Sequence, residues 1–172
     1  MKNILLAGVF AFCLTTTSVF AADIKLGIFD MQRAMQSSLA GQEAKEQLAT
    51  RFSNYQKEIN VKQENLQKLK DELEKQGVLM SESVRNAKEK DYEQHLKEFQ
   101  RFTKDAQDDL QAKDKELTNR IVEGAVKIVQ DFGHKNGYTF ILIKNQGLAF
   151  TDDKVDVTEE VLKLLDANHK NR

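Results

Sequence analysis

The 172-residue sequence contains no proline, no tryptophan and a single cysteine, and aromatic residues make up 8% of it. Because proline inside a helix removes a hydrogen bond and clashes with the preceding turn, its absence favours long uninterrupted helices. The shortage of aromatic residues, beside 31% charged residues, favours solvated helices over one compact core. The net charge of −1 argues against nucleic acid as a partner, because proteins that bind it carry a basic excess.

Side-chain sets that would support catalysis are also missing from the sequence. The histidines, His95, His134 and His169, have no metal-ligand spacing with carboxylates or with cysteine. The sequence contains no nucleophile motif of the G-x-S-x-G type and no glycine-rich phosphate loop. We therefore predict that the protein is not an enzyme and that it needs no cofactor and no metal.

The first 21 residues have the layout of a secretory signal peptide. Lys2 is followed by an eleven-residue apolar run from Ile4 to Leu14 and by a stretch of small residues. The run is shorter than the 20 or so residues that span a bilayer, although an uncleaved anchor is the alternative. Val19 and Ala21 favour cleavage after Ala21, which predicts a periplasmic protein. Cleavage there removes Lys2, changes the net charge from −1 to −2 and leaves no cysteine, so no disulfide can form.

The middle of the chain has the pattern of two long helices. Residues 24–30 read as a short strand, residues 31–38 as a brief helix, and Gly41 as a break before a helix over 42–76. A second helix is predicted from Glu82, with Ser81 as its N-cap, to Phe132. Both carry apolar residues at heptad spacing, so they should fold back as an antiparallel coiled-coil hairpin. A turn near Leu79 predicts that residue i faces residue 158 − i, for example Phe52 against Ala106 and Tyr55 against Thr103.

The two ends of the chain are more apolar than the middle. Residues 121–132 are apolar around most of the helix, and residues 138–143 form a strand that is apolar on both faces. We also predict a second short strand at 148–150 and a final helix with Thr158 as its N-cap.

These segments predict a mostly α protein of the α+β class. Residues 22–41 and 118–172 form a small body that contains the strands, and residues 42–117 form a helical-hairpin arm. Such a body would leave apolar surface exposed in a monomer, so we predict a homo-oligomer with a shared core. The candidates for that core are Ile24, Leu26, Ile28, Ile121, Val122, Val126, Val129, Phe140, Ile141 and Leu142.

A few apolar residues do not fit the heptad pattern of the arm. Val61 and Phe102 each lie next to a position of the seam, the stripe of heptad-spaced apolar residues along which the two helices meet. Val78, Leu79 and Met80 form the apolar tip. Each could widen the seam or close the turn. Exposed apolar groups on a charged arm are also candidates for contacting another protein, so we predict these five as contacts to a partner protein.

The order and spacing of these features resemble the Skp/OmpH family of periplasmic chaperones. The carrying segments are the signal peptide, residues 24–33, residues 38–41, the charged hairpin, residues 137–143 and residues 156–162. The resemblance implies a homotrimer whose strands join in a central β-structure, with three arms that enclose a cavity. It also implies an ATP-independent holdase for unfolded outer-membrane proteins, which are its clients. The five apolar residues of the arm are then the predicted client-contact residues.

One departure from the family concerns charge. Members of the family are markedly basic, whereas residues 62–100 here hold eight basic and nine acidic residues. This balance puts binding to lipopolysaccharide or to anionic membranes in doubt.

The rival interpretation of the sequence is a structural coiled-coil adaptor or spacer of the cell envelope, although a plain rod would need no strands.

Overall fold

The computed structural model describes residues 24–171. Along the chain it forms a strand and a short helix, two long helices, a second strand and a last helix. Their bounds are β1 Leu26–Phe29, α1 Met31–Ser37, α2 Leu39–Gln76, α3 Glu82–Lys135, β2 Phe140–Ile143 and α4 Thr158–Lys170. The predicted signal peptide and its cleavage site lie outside the described residues. The mostly α, α+β architecture with a helical-hairpin arm is confirmed.

The arm is an antiparallel pair of α2 and α3, joined by a short 3-10 turn at Gly77–Leu79. Helix α3 has 54 residues and is therefore about 80 Å long at 1.5 Å per residue. Lys88 of α3 lies 2.5 Å from Glu72 of α2 near the tip, and Arg51 lies 2.5 Å from Asp109 near the base. These pairs show that the helices run in opposite directions, as the heptad seams predict.

Several predicted boundaries need correction. Helix α2 begins at Leu39 and contains Gly41, because Ser38 caps it by accepting a hydrogen bond from the Gly41 amide. Helix α3 continues past Phe132 to Lys135, and the chain turns at Gly137, whose φ is +67°. A glycine is required there because side chains rarely tolerate positive φ.

Two further predictions at the C-terminal end were wrong. Residues 148–150 are not a strand in this chain, since their backbone finds no neighbouring strand to pair with. Thr158 is the first residue of α4 and not its cap. Its side chain is buried and accepts a hydrogen bond from the Asp30 amide at 2.9 Å, while Asp156 accepts from the Thr158 amide at 2.8 Å.

The body is built around a parallel pair of strands covered by helices. Strands β1 and β2 pair in parallel, with Leu26 opposite Phe140 and Phe29 opposite Ile143. A parallel pair needs a crossover between its strands, and here the whole hairpin arm lies in that connection. The core beneath the strands is contributed by β1, α1, α3 and α4. Its buried side chains are Phe29, Met31, Ala34, Ala125, Ile128, Val157, Val161, Leu162 and Leu165.

Helix α4 fixes the base of the arm to this core. The Asp166 carboxylate accepts a hydrogen bond from the Leu39 amide at 2.8 Å, so α4 helps to cap α2. His169 lies 2.8 Å from Glu43 of α2, and Arg33 of α1 pairs with Glu159 of α4. These contacts position the first turn of the arm relative to the strands.

Candidate functional site

The paired strands leave a cluster of apolar side chains facing solvent. Leu26, Phe140, Leu142 and Ile143 keep between 42% and 45% of their surface exposed, and Ile24 keeps more. Because side chains alternate along a strand, Leu26, Phe140 and Leu142 share one face of the pair, and Ile143 lies on the opposite face. Exposed apolar side chains of this kind mark a site of interaction. These five residues, named the strand patch here, are therefore the candidate oligomer interface.

The other predicted oligomer-core residues contact their own chain. Ile28 is buried, and Ile141 is half-buried where it packs over the backbone of Gly27 and Gly133. They have less surface left for a second copy than the strand patch has. Half-buried candidates on α3 are Ile121, Val122, Val126 and Val129.

Sequence reasoning missed three exposed apolar residues of the body. Ile143 belongs to the strand patch. The sequence feature that could have identified it is the run of β2, in which every residue is hydrophobic. Phe150 is 85% exposed in the segment predicted as a second strand. Leu164 is 45% exposed on α4, where it borders a groove together with Ile128 and Phe132 of α3.

A polar clasp joins the two helices of the arm near its base. Arg51 donates two hydrogen bonds to the Asp109 carboxylate, at 2.5 and 2.8 Å, and the Tyr55 hydroxyl donates a third at 2.8 Å. The Arg51 guanidinium and then the Tyr55 hydroxyl hold the pKa of Asp109 below its ordinary value. A bidentate arginine–carboxylate pair fixes geometry as well as charge, so the clasp specifies how the two helices align.

Phe102, one of the predicted client-contact residues, lies inside the arm. Its ring packs edge-to-face on Tyr55 with centroids 6.0 Å apart, one residue from the predicted partner Thr103. The ammonium of Lys62 lies 5.1 Å from the Phe102 ring centroid. The half-buried Phe102 therefore widens the seam, which is the alternative that the sequence left open.

The other predicted client-contact residues point outward. Val78 and Leu79 at the tip are 92% and 88% exposed, and Val61 on α2 is also exposed. Met80 is half-buried at the end of the turn. Val84, in the first turn of α3, adds an exposed apolar side chain next to the tip. The tip thus presents apolar groups to solvent at the far end of a charged hairpin.

Phe52 is an exposed aromatic residue that the heptad seam did not predict to be exposed. The predicted register buries it against Ala106, but Phe52 is 57% exposed. Phe52 shares its heptad position with Ile59 and Leu66, so the sequence pattern gave no signal that it would be exposed. Ala106 is buried without it. Phe52 thus joins Val61 and the tip residues as an apolar contact on the arm.

The remaining arm surface is charged and balanced in sign. Most of its ion pairs join residues one turn apart on one helix, and such exposed pairs contribute little to stability. They keep the arm soluble without creating a field of one sign. Examples are Lys70–Glu74, Lys75–Asp71, Arg85–Glu89, Arg101–Asp105 and Lys104–Asp108.

The described residues show neither a metal cluster nor a membrane helix. Over residues 24–171, no group of three or more His, Cys, Asp or Glu side chains is arranged to hold a metal ion. No helix within that part of the chain is long and apolar enough to cross a bilayer. The strand patch and the arm are the two candidate surfaces.

Comparison with solved structures identifies the fold. A crystal structure from Caulobacter crescentus, of a protein described as an OmpH-like outer membrane chaperone, matches with a TM-score of 0.78. The match covers 84% of this chain and 85% of that one, at 18% sequence identity. At that identity the likeness concerns the fold alone.

Sequence comparison finds relatives over most of the chain. An uncharacterised protein of Aquifex aeolicus is 31% identical over 137 residues, which cover 80% of this chain and 83% of that protein. The chaperone protein Skp of Photorhabdus luminescens is 25% identical over 95% of this chain and 98% of its own. A Skp-like protein of Pseudomonas aeruginosa is 22% identical over 88% of this chain and 93% of its own.

The family model described as "Outer membrane protein (OmpH-like)" matches residues 25–165, which include both strands, the whole arm and most of α4. The match thus extends over the body and the arm together. The chain belongs to the Skp/OmpH family.

Proposed function

We propose that this protein is an ATP-independent periplasmic holdase that binds unfolded outer-membrane proteins between helical arms and prevents their aggregation. The observation that carries the proposal is the combination of a long charged arm bearing scattered exposed apolar residues with a body that has an uncovered strand patch. Relatives with the name chaperone protein Skp, aligned over nearly the whole chain, support it.

The proposed active form is a homotrimer assembled through the body. The strand patch exposes apolar side chains next to the outer edge of β2, which pairs with no other strand among the described residues, whereas the outer edge of β1 is bridged by Asp156. A second copy would cover both the patch and the open edge of β2. The number three rests on the resemblance to the family. Residues 22–41 and 118–172 are the proposed trimerisation body, and residues 42–117 the proposed arm. Three arms that project from one body would surround a space open to a client.

Weak contacts spread along the arms suit a holdase better than one tight pocket. A binder of many sequences must also release them, and many small contacts give avidity without a strong individual site. Each exposed apolar residue would contribute about 1 kcal/mol or less to client binding. We propose Val61, Val78, Leu79 and Met80 for this role and add Phe52, whereas Phe102 would contribute mainly by shaping the arm.

The proposed location is the periplasm, reached by cleavage of a signal peptide after Ala21. A periplasmic holdase has no supply of nucleotide, which agrees with the absence of a phosphate-binding motif from the sequence. Because the arm charges balance, we do not propose nucleic acid, lipopolysaccharide or an anionic membrane as a partner. Mass spectrometry of the protein from cell envelopes tests the cleavage, since an N-terminus other than Ala22 would contradict it.

The test of the proposed function is aggregation of a denatured outer-membrane β-barrel protein after dilution, followed by light scattering without ATP. We expect the mature protein to suppress scattering at about one trimer per client. If it never suppresses scattering while it remains folded and assembled, the proposal is wrong and the adaptor alternative takes its place.

A further inference from the structure

The junction between α3 and β2 contains the dipeptide Asn136–Gly137, the only Asn-Gly pair in the sequence. Asn136 is the C-cap of α3 and Gly137 follows it with φ of +67°. The Tyr138 amide donates to the Gly133 carbonyl at 3.0 Å, and the Gly137 amide donates to His134 at 3.4 Å. This pair of bonds is a Schellman motif, the usual way in which a glycine ends a helix.

The Gly137 nitrogen is the most weakly held group of this motif. Its hydrogen bond is 3.4 Å long, whereas the other backbone bonds of the junction are 3.0 Å or shorter. Both Asn136 and Gly137 are exposed to solvent, and, apart from the two chain neighbours of Gly137, no described residue has an atom within 4 Å of the place where a Cβ of residue 137 would be. The junction is therefore open to solvent and not packed under side chains from elsewhere in the described chain.

We infer that Asn136 is a site of spontaneous deamidation in the folded protein. The Gly137 main-chain nitrogen loses its proton and bonds to Cγ of Asn136, the Cγ–Nδ2 bond breaks, and ammonia leaves with that proton. Water then opens the resulting succinimide. Opening at the side-chain carbonyl gives aspartate, and opening at the main-chain carbonyl gives isoaspartate. The net reaction consumes one water and releases one ammonia.

Two hydrogen bonds slow the reaction in the folded chain without preventing it. The Gly137 amide must leave His134, and the Asn136 amide must leave the Phe132 carbonyl, to which it donates at 2.8 Å. Breaking two hydrogen bonds of ordinary net strength lowers the reactive population by about thirtyfold. The folded protein should therefore deamidate at Asn136 about thirtyfold more slowly than the same chain unfolded in urea.

The modification would affect the strands because of where it occurs. Isoaspartate lengthens the main chain between α3 and β2 by one carbon, next to the point where the Thr139 amide donates to Lys25 at 2.8 Å. Lys25 also donates through its side chain to the Asn136 carbonyl at 2.9 Å. Both contacts hold β1 in register with β2, so an aged chain should expose the amides of β2 to faster hydrogen exchange.

The experiment is incubation of the mature protein at neutral and at mildly alkaline pH, followed by peptide mapping with mass spectrometry. Isoaspartyl methyltransferase labelling distinguishes the two products. Asn145 is the internal control, because it is also exposed but precedes Gln146. The variant Asn136→Gln is the second control and should remove the signal.

We expect conversion at Asn136, faster at alkaline pH, with Asn145 unchanged over the same period. Conversion at Asn136 only in urea would overturn the inference, because the Schellman motif would then protect the amide completely. Equal conversion at Asn136 and Asn145 would also overturn it, since the adjacent glycine would have no special effect.

Discussion

At the scale of single residues, two glycines in helices have opposite roles. A Cβ on Gly41 would lie 1.8 Å from the Met35 carbonyl oxygen, whereas a Cβ on Gly124 would meet nothing within 4 Å. Glycine normally weakens a helix interior, but at position 41 it permits the close approach of α1 and α2. The sequence suggested a break at Gly41, and the physical reason for the glycine is this approach.

We predict that Gly41→Ala lowers the free energy of unfolding by about 2 kcal/mol, because the added methyl group forces α1 away from α2. Gly124→Ala is the matched control and should raise it by about 1 kcal/mol, the ordinary helix preference for alanine. Denaturant unfolding at one fixed protein concentration measures both. A Gly41→Ala variant as stable as wild type would show that the two helices are not closely packed.

The Asp109 clasp leads to a prediction about pH. The pKa of Asp109 is lowered in the folded protein, first by Arg51, so its contribution to stability is present above the unfolded pKa of about 3.9. That contribution is lost as the pH falls through the folded pKa. Asp109→Asn should therefore lower the thermal midpoint at neutral pH, and its difference from wild type should vanish in strong acid.

Asp108→Asn is the matched control for the clasp. Asp108 pairs only with Lys104 one turn away on the same helix, so its replacement should have a much smaller effect at any pH. Circular dichroism melting over a range of pH measures both variants. Equal effects at positions 108 and 109 would mean that the bond across the arm adds nothing beyond surface charge.

At the scale of helices and strands, much of the architecture follows from the sequence. The heptad steps and the lack of proline predicted the hairpin, and Ser81 marked the start of α3 correctly. Contacts between distant segments of the chain determine the details that the sequence did not predict. The Thr158 hydroxyl accepts from the amide of Asp30, just after β1, and does not cap its own helix. Residues 148–150 pair with no strand among the described residues.

The candidate site was harder to predict than the fold, because exposure depends on rotations of a fraction of a helical turn. Val78 and Leu79 at the tip were predicted to be available, and they are exposed. Phe102 lies beside the seam, where small angular differences decide burial, whereas Phe52 occupies the same heptad position as Ile59. The structure turns Phe102 inward onto Tyr55 and leaves Phe52 outside.

At the arm, we predict that changing Val78, Leu79 and Met80 together to serine weakens client protection only partly, because the contacts are distributed. Adding Phe52→Ser and Val61→Ser should weaken it further. The protein concentration needed for half-maximal suppression of light scattering measures each step. Complete loss of protection from the three tip changes would instead indicate one dominant site.

At the scale of the whole molecule, assembly should depend on the strand patch. Leu142 in the patch and Leu164 on α4 are both 45% exposed in the chain, so neither is essential to the core of a single protomer. A charge placed in a desolvated interface without a partner is strongly unfavourable, whereas the same charge in water costs little. The two leucines thus form a matched pair that separates assembly from folding.

We predict that Leu142→Asp abolishes the oligomer and that Leu164→Asp preserves it. Analytical ultracentrifugation measures the assembly, and far-ultraviolet circular dichroism checks that both variants remain helical. Assembly of Leu142→Asp as in wild type, or a monomeric wild type, would contradict the assignment of the strand patch as the interface.

The central claim is that the body assembles the protein and the arms hold the client. The most direct measurement compares wild type with a variant in which residues 50–108 are replaced by a short linker, at equal oligomer concentration. The readout is light scattering of a diluted, denatured outer-membrane β-barrel protein, after ultracentrifugation has established the oligomeric state of both. We predict that the armless variant stays oligomeric and fails to suppress aggregation. An armless oligomer that protects the client as well as wild type does would contradict the account.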